Sequence, residues 1–168
     1  GMKLVVVCGS RRQIDDRIAS EGGGDPIRRS SIRVTDAATL RIVKEEAGYV
    51  RFEVERELSR ALRMVKRGRK GEPQGGDPFV GNVVSGNFYS AQPFGVIDGE
   101  DYMYTGFPRK IEVGKIRQVH SANDIVLLTT LGVSPSGEMF NCNSENLAAT
   151  VAGSLEASKI VYFTVSAT

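Results

Sequence analysis

The chain has 168 residues, of which 40% are apolar and 25% charged, and this size and composition are typical of one soluble globular domain. The 22 basic and 20 acidic residues nearly balance, at a formal net charge of +2, which argues against a nucleic-acid binder. No apolar run approaches the roughly 20 residues that cross a bilayer, and the two cysteines, Cys8 and Cys142, lack metal-ligand spacing, so we expect free thiols in a reducing compartment, no metal and no membrane partner.

The first predicted elements are a strand, a tight turn and a helix. Val5 to Cys8 is a short apolar run that stops at Gly9-Ser10. Gln13 to Ser20 then places two isoleucines four residues apart, as one face of a helix requires. Turn-forming residues over 21–26 predict the end of this helix, and residues 28–31 continue as a polar loop.

A second helix comes next. Thr35-Asp36 is a good N-cap pair for a helix that carries Leu40, Val43 and Ala47, with Lys44 late enough to favour the dipole at its C-terminal end. A helical apolar stripe continues from Phe52 to Val65 and stops at Arg67-Gly68. Residues 70–78 are rich in Gly and Pro and predict a mobile loop.

Short extended runs begin at Val83, separated by turn residues at 85–87 and 98–101. This pattern predicts a small antiparallel hairpin region. Val113 to Val119 then favours a short helix, and Ile125 to Leu128 a fully buried strand.

A turn over 134–138 and a helix opened by Ser144-Glu145 come near the end, followed by an apolar run from Lys159 to Val165 that predicts another buried strand. Apolar strands alternating with helices indicate an α/β domain with a mainly parallel sheet covered on both faces. We expect three segments to be adjoining central strands of this sheet: Val5 to Val7, Ile125 to Leu128 and Ile160 to Thr164.

Candidate binding residues follow the predicted strands, where loops lead into helix N-termini and offer free backbone N–H groups to anions. Gly9, Ser10 and Arg11 lie in the first such segment, although its local spacing favours a simple tight turn with Arg11 and Arg12 solvated. Asn141 and Asn143 lie on one side of an extended segment. They could bind a carboxylate or an amide, or Asn143 could simply cap the next helix.

Charged and titratable residues add further candidates. Arg33 could bind a carboxylate through two hydrogen bonds, or it could be an ordinary surface arginine. Glu145 could be an acid, a base, an ion-pair member or a complement to the helix dipole. His120 has no acid or cysteine partner in a recognisable spacing, and the basic run from Arg63 to Lys70 reads as a solvated helix end.

Taken together, these segments resemble the amino-acid kinase (carbamate kinase-like) fold as it occurs in N-acetylglutamate synthases of bacteria and plants. The blocks that carry the resemblance run in the same order and spacing: Leu4 to Ile14, Arg33 to Ala37, Ser85 to Phe88, and Ser136 to Asn141. The Asn141-Cys142-Asn143 block looks plant-like, whereas Ala91-Gln92-Pro93 and Asp98-Gly99 look bacterial, so the resemblance assigns no lineage. It implies a three-layer sandwich, incomplete in this chain.

The related acetylglutamate kinases indicate which residues would hold a ligand. By resemblance, Gly9, Arg33 and Asn141 occupy positions that hold acetylated glutamate. Ser10 and Arg11 replace further glycines that approach the transferred phosphoryl group, and Glu145 replaces an aspartate that organises catalytic lysines. We therefore assign no catalytic residues, and a ligand site of Gly9, Ser10, Arg11, Arg33, Asn141, Asn143 and Glu145.

The resemblance implies that residues 1–168 are part of a kinase-like domain, with the first strand, the nucleotide-binding half and the acetyltransferase domain lying outside. The favoured function is a regulatory or structural domain of an enzyme that makes N-acetylglutamate from acetyl-CoA and glutamate. The alternatives are an acetylglutamate kinase and a stand-alone amino-acid-binding module. Expected partners are glutamate, N-acetylglutamate, arginine in a longer protein, and further copies of the chain, because an open sheet edge invites pairing. We expect the cytoplasm, or the plastid stroma in a plant or alga, and no cofactor in the chain itself.

Overall fold

The computed structural model describes residues 2–22, 27–29, 32–68 and 81–163. Its helices are α1 (Arg11–Ser20), α2 (Ala37–Gly68), α3 (Val113–Ser121) and α4 (Ser144–Leu155). Its strands are β1 (Val5–Cys8), β2 (Arg28–Arg29), β3 (Ile32–Arg33), β4 (Val83–Ser85), β5 (Tyr89–Pro93), β6 (Val96–Ile97), β7 (Glu100–Asp101), β8 (Thr105–Ile111), β9 (Ile125–Thr129), β10 (Leu131–Val133) and β11 (Met139–Cys142).

A parallel sheet with the order β1-β9-β4 forms the centre of the domain. Val5 pairs with Val126, and Val83 pairs with Ile125, so the central strand β9 has a parallel neighbour on each side. Burial matches this position, because Val126 and Leu127 are completely shielded from solvent. The prediction that the first apolar run adjoins Ile125 to Leu128 in a parallel sheet is confirmed.

Helices cover this sheet on both faces. Val126 and Leu128 of β9 pack in one cluster with Ile116 of α3 and Leu147 of α4. Leu127 points to the opposite face, since side chains alternate along a strand, and α2 packs against β9, β1 and β4. The expected α/β sandwich is therefore present.

The predicted hairpin region is also present, but it is organised differently from the expectation. Four strands, in the order β10-β11-β8-β5, close into a small mixed sheet, and β6 and β7 form a hairpin. Asp98 and Gly99 turn this hairpin at positive φ angles of 53° and 79°. The run at Val83, in contrast, pairs with β9 in the parallel sheet, so it belongs to the central sheet rather than to the hairpins.

The predicted strand from Ile160 to Thr164 is wrong for the residues that the structure describes. Residues 159–163 have no strand pairing and lie exposed, with Phe163 97% accessible. An apolar run becomes a buried strand only when neighbouring strands and helices cover it, and within the described ranges nothing covers this one. Thr164 lies outside the described residues.

The helices follow their sequence signals closely. α2 is one continuous helix that runs through both predicted helical stretches and does not end near Lys44. The backbone N–H of Thr39 donates to Oδ1 of Asp36 at 2.7 Å, so Asp36 caps its first turn. Residues 28–31 were predicted as a loop, but Arg28–Arg29 pairs with Ile32–Arg33 in a short antiparallel ladder. The predicted loop over 70–78 lies outside the described ranges. Among the described helices, none is long and apolar enough to span a membrane.

Candidate functional site

A small cleft of about 60 Å³ lies where the turn after β1 meets β3, β8, β11 and the start of α4. The residues that line it are Gly9, Ser10, Arg11, Ile14, Arg28, Ile32, Arg33, Thr105, Thr130, Asn141, Cys142, Asn143 and Ser144. Six of the seven residues expected to bind a ligand are among them, and Glu145 is not. Segments more than a hundred residues apart in sequence therefore meet at one place.

Close backbone approach brings the first turn to the start of α4. A Cβ atom on Gly9 would lie only 3.1 Å from Oγ of Ser144, so glycine allows this contact without displacing its neighbour. On the other side of the cleft, Asn141 of β11 is in parallel register with Thr105 of β8. The contact of Gly9 with Ser144 thus sets the spacing on one side of the cleft, and the pairing of β11 with β8 sets it on the other.

Arg33 is the most deeply placed charge in the cleft. Its side chain is 8% exposed, and its Nη2 donates to Oδ1 of Asp15 at 2.5 Å. The second oxygen of Asp15 pairs with Arg28, so one carboxylate joins both arginines. Nη1 of Arg33 is buried and has no hydrogen-bond partner in the described part of the chain. This N–H edge is available to an acceptor that enters the cleft.

Ser10 supplies a second unused polar group. The residue is 2% exposed, its Oγ has no partner among the described residues, and it does not cap α1 with its side chain. The first backbone N–H groups of a helix carry partial positive charge and attract anions. A buried guanidinium edge, a buried hydroxyl and a helix N-terminus therefore converge, which is the arrangement that a carboxylate or another small anion needs.

A chain of hydrogen bonds behind the cleft connects its walls. Oγ1 of Thr105 donates to the carbonyl oxygen of Arg33 at 2.6 Å and accepts from the backbone N–H of Thr35 at 3.0 Å. It also lies 3.1 Å from Oγ1 of Thr35, which accepts from Nδ2 of Asn141 at 3.1 Å. Thr35 and Thr105 are almost fully buried, so these bonds fix β3 against β8 and β11.

Sequence reasoning missed Asp15, Thr35 and Thr105 as members of this neighbourhood. Asp15 is one of several charged residues on α1, and only the β2–β3 ladder shows which of them meets Arg33. The threonines read as ordinary strand or cap residues. Their one detectable signal was the position of Thr35 two residues after Arg33, in the block that carried the resemblance.

Asn143 and Glu145 have local structural roles. Oδ1 of Asn143 accepts from the backbone N–H of Asn146 at 2.8 Å, so Asn143 caps α4 as the alternative interpretation held, although it also lines the cleft. Glu145 is exposed and accepts from Ser144. Partial burial raises the pKa of Glu145, but hydrogen bonds from its own N–H and from Ser144, the charge of Arg11 and a hydrogen bond from Asn143 together bring it below the usual range. Glu145 is thus an anion near α4 and outside the cleft lining.

Among the residues that the structure describes, the other titratable side chains have no arrangement typical of catalysis. The Nε2 atom of buried His120 lies 3.1 Å from the carbonyl oxygen of Leu4. Cys8 and Cys142 are free thiols, as expected, and burial raises the pKa of Cys142 to about 11. Within the described ranges, no cluster of His, Cys, Asp and Glu side chains could hold a metal ion. Of the basic run, Arg63 is exposed, and the side chains after residue 64 lie outside the described part.

Comparison with known proteins gives consistent matches along the chain. The amino acid kinase family matches residues 1–166. An amino-acid acetyltransferase of Edwardsiella ictaluri is 42% identical over 166 residues, which cover 97% of this chain and 35% of the relative. The amino-acid acetyltransferase of Escherichia coli K12 is 40% identical over 166 residues, 97% of this chain and 34% of the relative.

Solved structures agree with the sequence matches. The crystal structure of N-acetylglutamate synthase from Neisseria gonorrhoeae, complexed with coenzyme A and L-arginine, superposes with a TM-score of 0.82 at 36% identity, covering 99% of this chain and 37% of that chain. A complex of the same synthase with coenzyme A and N-acetyl-glutamate gives a TM-score of 0.79 at 35% identity, covering 99% of this chain and 35% of that one. The chain thus spans about a third of the length of these relatives.

Proposed function

The chain belongs to the amino acid kinase family, and from this premise we propose that it is the amino-acid-kinase-like regulatory domain of an N-acetylglutamate synthase. The similarity to amino-acid acetyltransferases along 97% of the chain supports this proposal. So does the superposition on the Neisseria gonorrhoeae synthase. In the whole protein, the reaction would convert acetyl-CoA and glutamate to N-acetylglutamate, the first step of arginine biosynthesis.

The observation that carries the proposal for this chain is the pair of unpartnered polar groups in the cleft. Nη1 of Arg33 and Oγ of Ser10 are buried without partners among the described residues. Buried polar groups in proteins almost always find a hydrogen-bond partner, so two that converge on one cleft favour a ligand that supplies it. Both groups donate readily, and a carboxylate is the acceptor that suits a guanidinium best.

The proposed ligand is glutamate, N-acetylglutamate or a similar small acid. One carboxylate would accept from Arg33 and Ser10 at the N-terminus of α1, and Asn141 and Asn143 would contact the polar remainder. Arg28, whose side chain is 34% exposed, also lines the cleft and adds a second positive charge beside the proposed carboxylate position.

Phosphoryl transfer by this cleft is the alternative that we place second. The side chains of Ser10 and Arg11 line the turn after β1, where the related kinases have glycines, and they occupy space that a transferred phosphoryl group needs. Glu145 lies outside the cleft lining and is exposed. Phosphoryl transfer depends on positioning and on charge neutralisation around the phosphates, and the described residues offer little of either. A stand-alone amino-acid-binding module is the third reading.

Two further expectations belong to the same proposal. We place the protein in the cytoplasm, and we propose that it forms a homo-oligomer, because β1 is an edge strand of the described parallel sheet and open edges invite pairing. Arginine, which is bound in the Neisseria gonorrhoeae complex, is proposed as a ligand of the longer protein.

Calorimetric titration of the 168-residue chain with N-acetyl-L-glutamate and L-glutamate tests the ligand proposal. We expect saturable heat at one site per chain, and no heat with the uncharged N-acetyl-L-glutamine amide. Assays of ATP turnover with N-acetylglutamate, and of acetyl transfer from acetyl-CoA to glutamate, should show no rate above the buffer control. Titrations without heat for either acid would contradict the ligand site, and ATP turnover would favour the kinase reading.

A further inference from the structure

Thr105 occupies the centre of the hydrogen-bond chain behind the cleft. Its hydroxyl oxygen lies 2.6 Å from the carbonyl oxygen of Arg33, 3.0 Å from the backbone nitrogen of Thr35 and 3.1 Å from Oγ1 of Thr35. Thr105 is 4% exposed and Thr35 is completely buried. Water is therefore a poor substitute for any of these contacts, and the network is held to one arrangement of hydrogens.

The direction of each hydrogen bond follows from the number of hydrogens available. A carbonyl oxygen only accepts, so the single hydroxyl hydrogen of Thr105 is given to Arg33. The hydroxyl of Thr35 must therefore donate its own hydrogen to Oγ1 of Thr105, which accepts it. Oγ1 of Thr35 is left as an acceptor, and Nδ2 of Asn141 donates to it at 3.1 Å.

This order determines which end of the Asn141 amide is left for the cleft. One N–H of its nitrogen donates to Thr35, which restrains rotation of the amide, and we assign its oxygen Oδ1 as the acceptor that meets the ligand. The cleft then combines two donors, Nη1 of Arg33 and Oγ of Ser10, with one fixed acceptor. A carboxylate ligand with a nearby N–H group matches this pattern, because the N–H can donate to Oδ1 of Asn141. In the same acid with an oxygen in place of the N–H group, that oxygen would face Oδ1, and two acceptors would meet.

We propose that Thr105 is a positioning residue that, through Thr35, fixes the Asn141 amide and so makes the cleft select carboxylate ligands that carry an N–H group. The inference rests on the proposed acid-binding function of the cleft and deepens it. Thr105 lines the cleft, but its hydroxyl is engaged by Arg33 and Thr35 and is therefore not the group that recognises the ligand. Its effect is transmitted through the hydroxyl of Thr35 to Asn141 and through the backbone carbonyl to Arg33.

The test compares N-acetyl-L-glutamate with 2-acetoxyglutarate, in which an ester oxygen replaces the amide N–H and the shape is retained. We expect the parent chain to bind the amide about tenfold more tightly in calorimetric titration, because the ester loses a hydrogen bond and adds a lone-pair clash. Thr105→Val removes the hydroxyl at nearly constant volume and should reduce this preference to about twofold or less. Thr105→Ser, which keeps the hydroxyl, should retain it.

Thr150→Val is the matched control, because the hydroxyl of Thr150 donates to Asn146 within α4 at 2.7 Å and does not line the cleft. It should leave the preference unchanged. A parent chain that binds neither ligand overturns the proposed function. A parent chain that binds both equally overturns the selectivity inference alone, whether or not any variant folds. An undiminished preference in Thr105→Val shows that the cleft selects N–H groups without Thr105 and overturns its role.

Discussion

Asp15 and Arg33 form the ion pair that organises the cleft, with Oδ1 of Asp15 accepting from Nη2 of Arg33 at 2.5 Å. The Arg33 side chain is 8% exposed and the Asp15 side chain 29% exposed. A guanidinium this deeply buried needs a counter-charge, because desolvation of an unpaired ion is costly. Asp15 pairs with Nη2 of Arg33, whereas Nη1 is buried without a partner in the described part of the chain.

Removal of this carboxylate should therefore destabilise the fold. We expect Asp15→Ala to lower the free energy of unfolding by about 2 kcal/mol, a value below that of a fully buried pair because Asp15 is partly exposed. Urea denaturation measures it. Asp16→Ala is the control one position along, since Asp16 is 73% exposed and lies 3.7 Å from Arg12, and it should change the stability very little. Equal losses in both variants would argue against the ion pair as a structural element.

Ser10 should show opposite effects on stability and on binding. Its hydroxyl is buried without a described partner, so Ser10→Ala should leave the free energy of unfolding unchanged or raise it by up to about 1 kcal/mol. The same change should weaken N-acetylglutamate binding by roughly threefold to tenfold, because a hydrogen bond to the carboxylate is lost. Thermal melts and titration calorimetry measure the two quantities. A clear loss of stability would mean that the hydroxyl already has a partner in the free protein.

Asp36 should make the stability of α2 dependent on pH. The hydrogen bonds from the backbone N–H and side chain of Thr39 hold the pKa of Asp36 below its ordinary value of 3.8. A carboxylate with a depressed folded pKa stabilises the fold above its unfolded pKa, and this contribution disappears as the pH falls through the folded value. Asp36→Ala should thus cost about 1 kcal/mol at pH 7 and progressively less below pH 4.

Asp36→Asn distinguishes the effect of the capping hydrogen bond from the effect of the negative charge. Its amide oxygen can still accept from Thr39, so the stability at pH 7 should stay within a few tenths of a kcal/mol of the parent. Urea denaturation at several pH values between 7 and 3 gives the comparison. A loss in Asp36→Ala that is constant across this range would contradict the role of the ionised carboxylate.

Two glycines provide a matched test of packing. A Cβ atom on buried Gly132 would lie 2.5 Å from Cβ of Ala91 and 2.7 Å from the ring of Tyr89, so Gly132→Ala should destabilise the protein by about 1 to 3 kcal/mol. Gly153 lies on the exposed side of α4 with no atom within 4 Å of a new Cβ. Gly153→Ala should stabilise by up to about 1 kcal/mol. Opposite shifts in melting temperature are expected, and a tolerated Gly132→Ala would show that β10 and β5 are packed more loosely than described.

The helices and the central strands could be predicted because their signals are local. Asp36 is an N-cap residue that predicts the start of α2, and the unbroken apolar run at Ile125 predicts that β9 is covered on both faces. The run at Ile160 has the same local character but lies exposed through residue 163. Whether an apolar run becomes a buried strand depends on the segments that pack against it, and the local sequence does not contain them. The rule that an apolar run predicts a buried strand was therefore right at Ile125 and wrong at Ile160.

The residues of the cleft likewise divide into those that could be predicted from the sequence and those that could not. Gly9 and Ser10 could be placed there because they follow β1 and lead into α1, and Asn141 because its strand, β11, leads into α4. Asp15 could not, because its contact with Arg33 goes with the β2–β3 ladder, and β2 lies in a segment predicted as a loop. Thr105 acts by hydrogen bonds to residues 70 and 72 positions away, and a threonine at the start of a strand carries no signal for such bonds.

Titration of N-acetyl-L-glutamate into the parent chain, Arg33→Ala and Arg117→Ala tests the central claim most directly. Arg117 is an exposed arginine on α3 outside the cleft lining, so its removal changes the net charge equally. A charge-assisted guanidinium contact contributes on the order of 1.5 to 3 kcal/mol. We expect Arg33→Ala to weaken binding roughly tenfold or more and Arg117→Ala to keep the affinity of the parent chain, whereas equal affinities for the two variants would show that Arg33 does not bind the carboxylate.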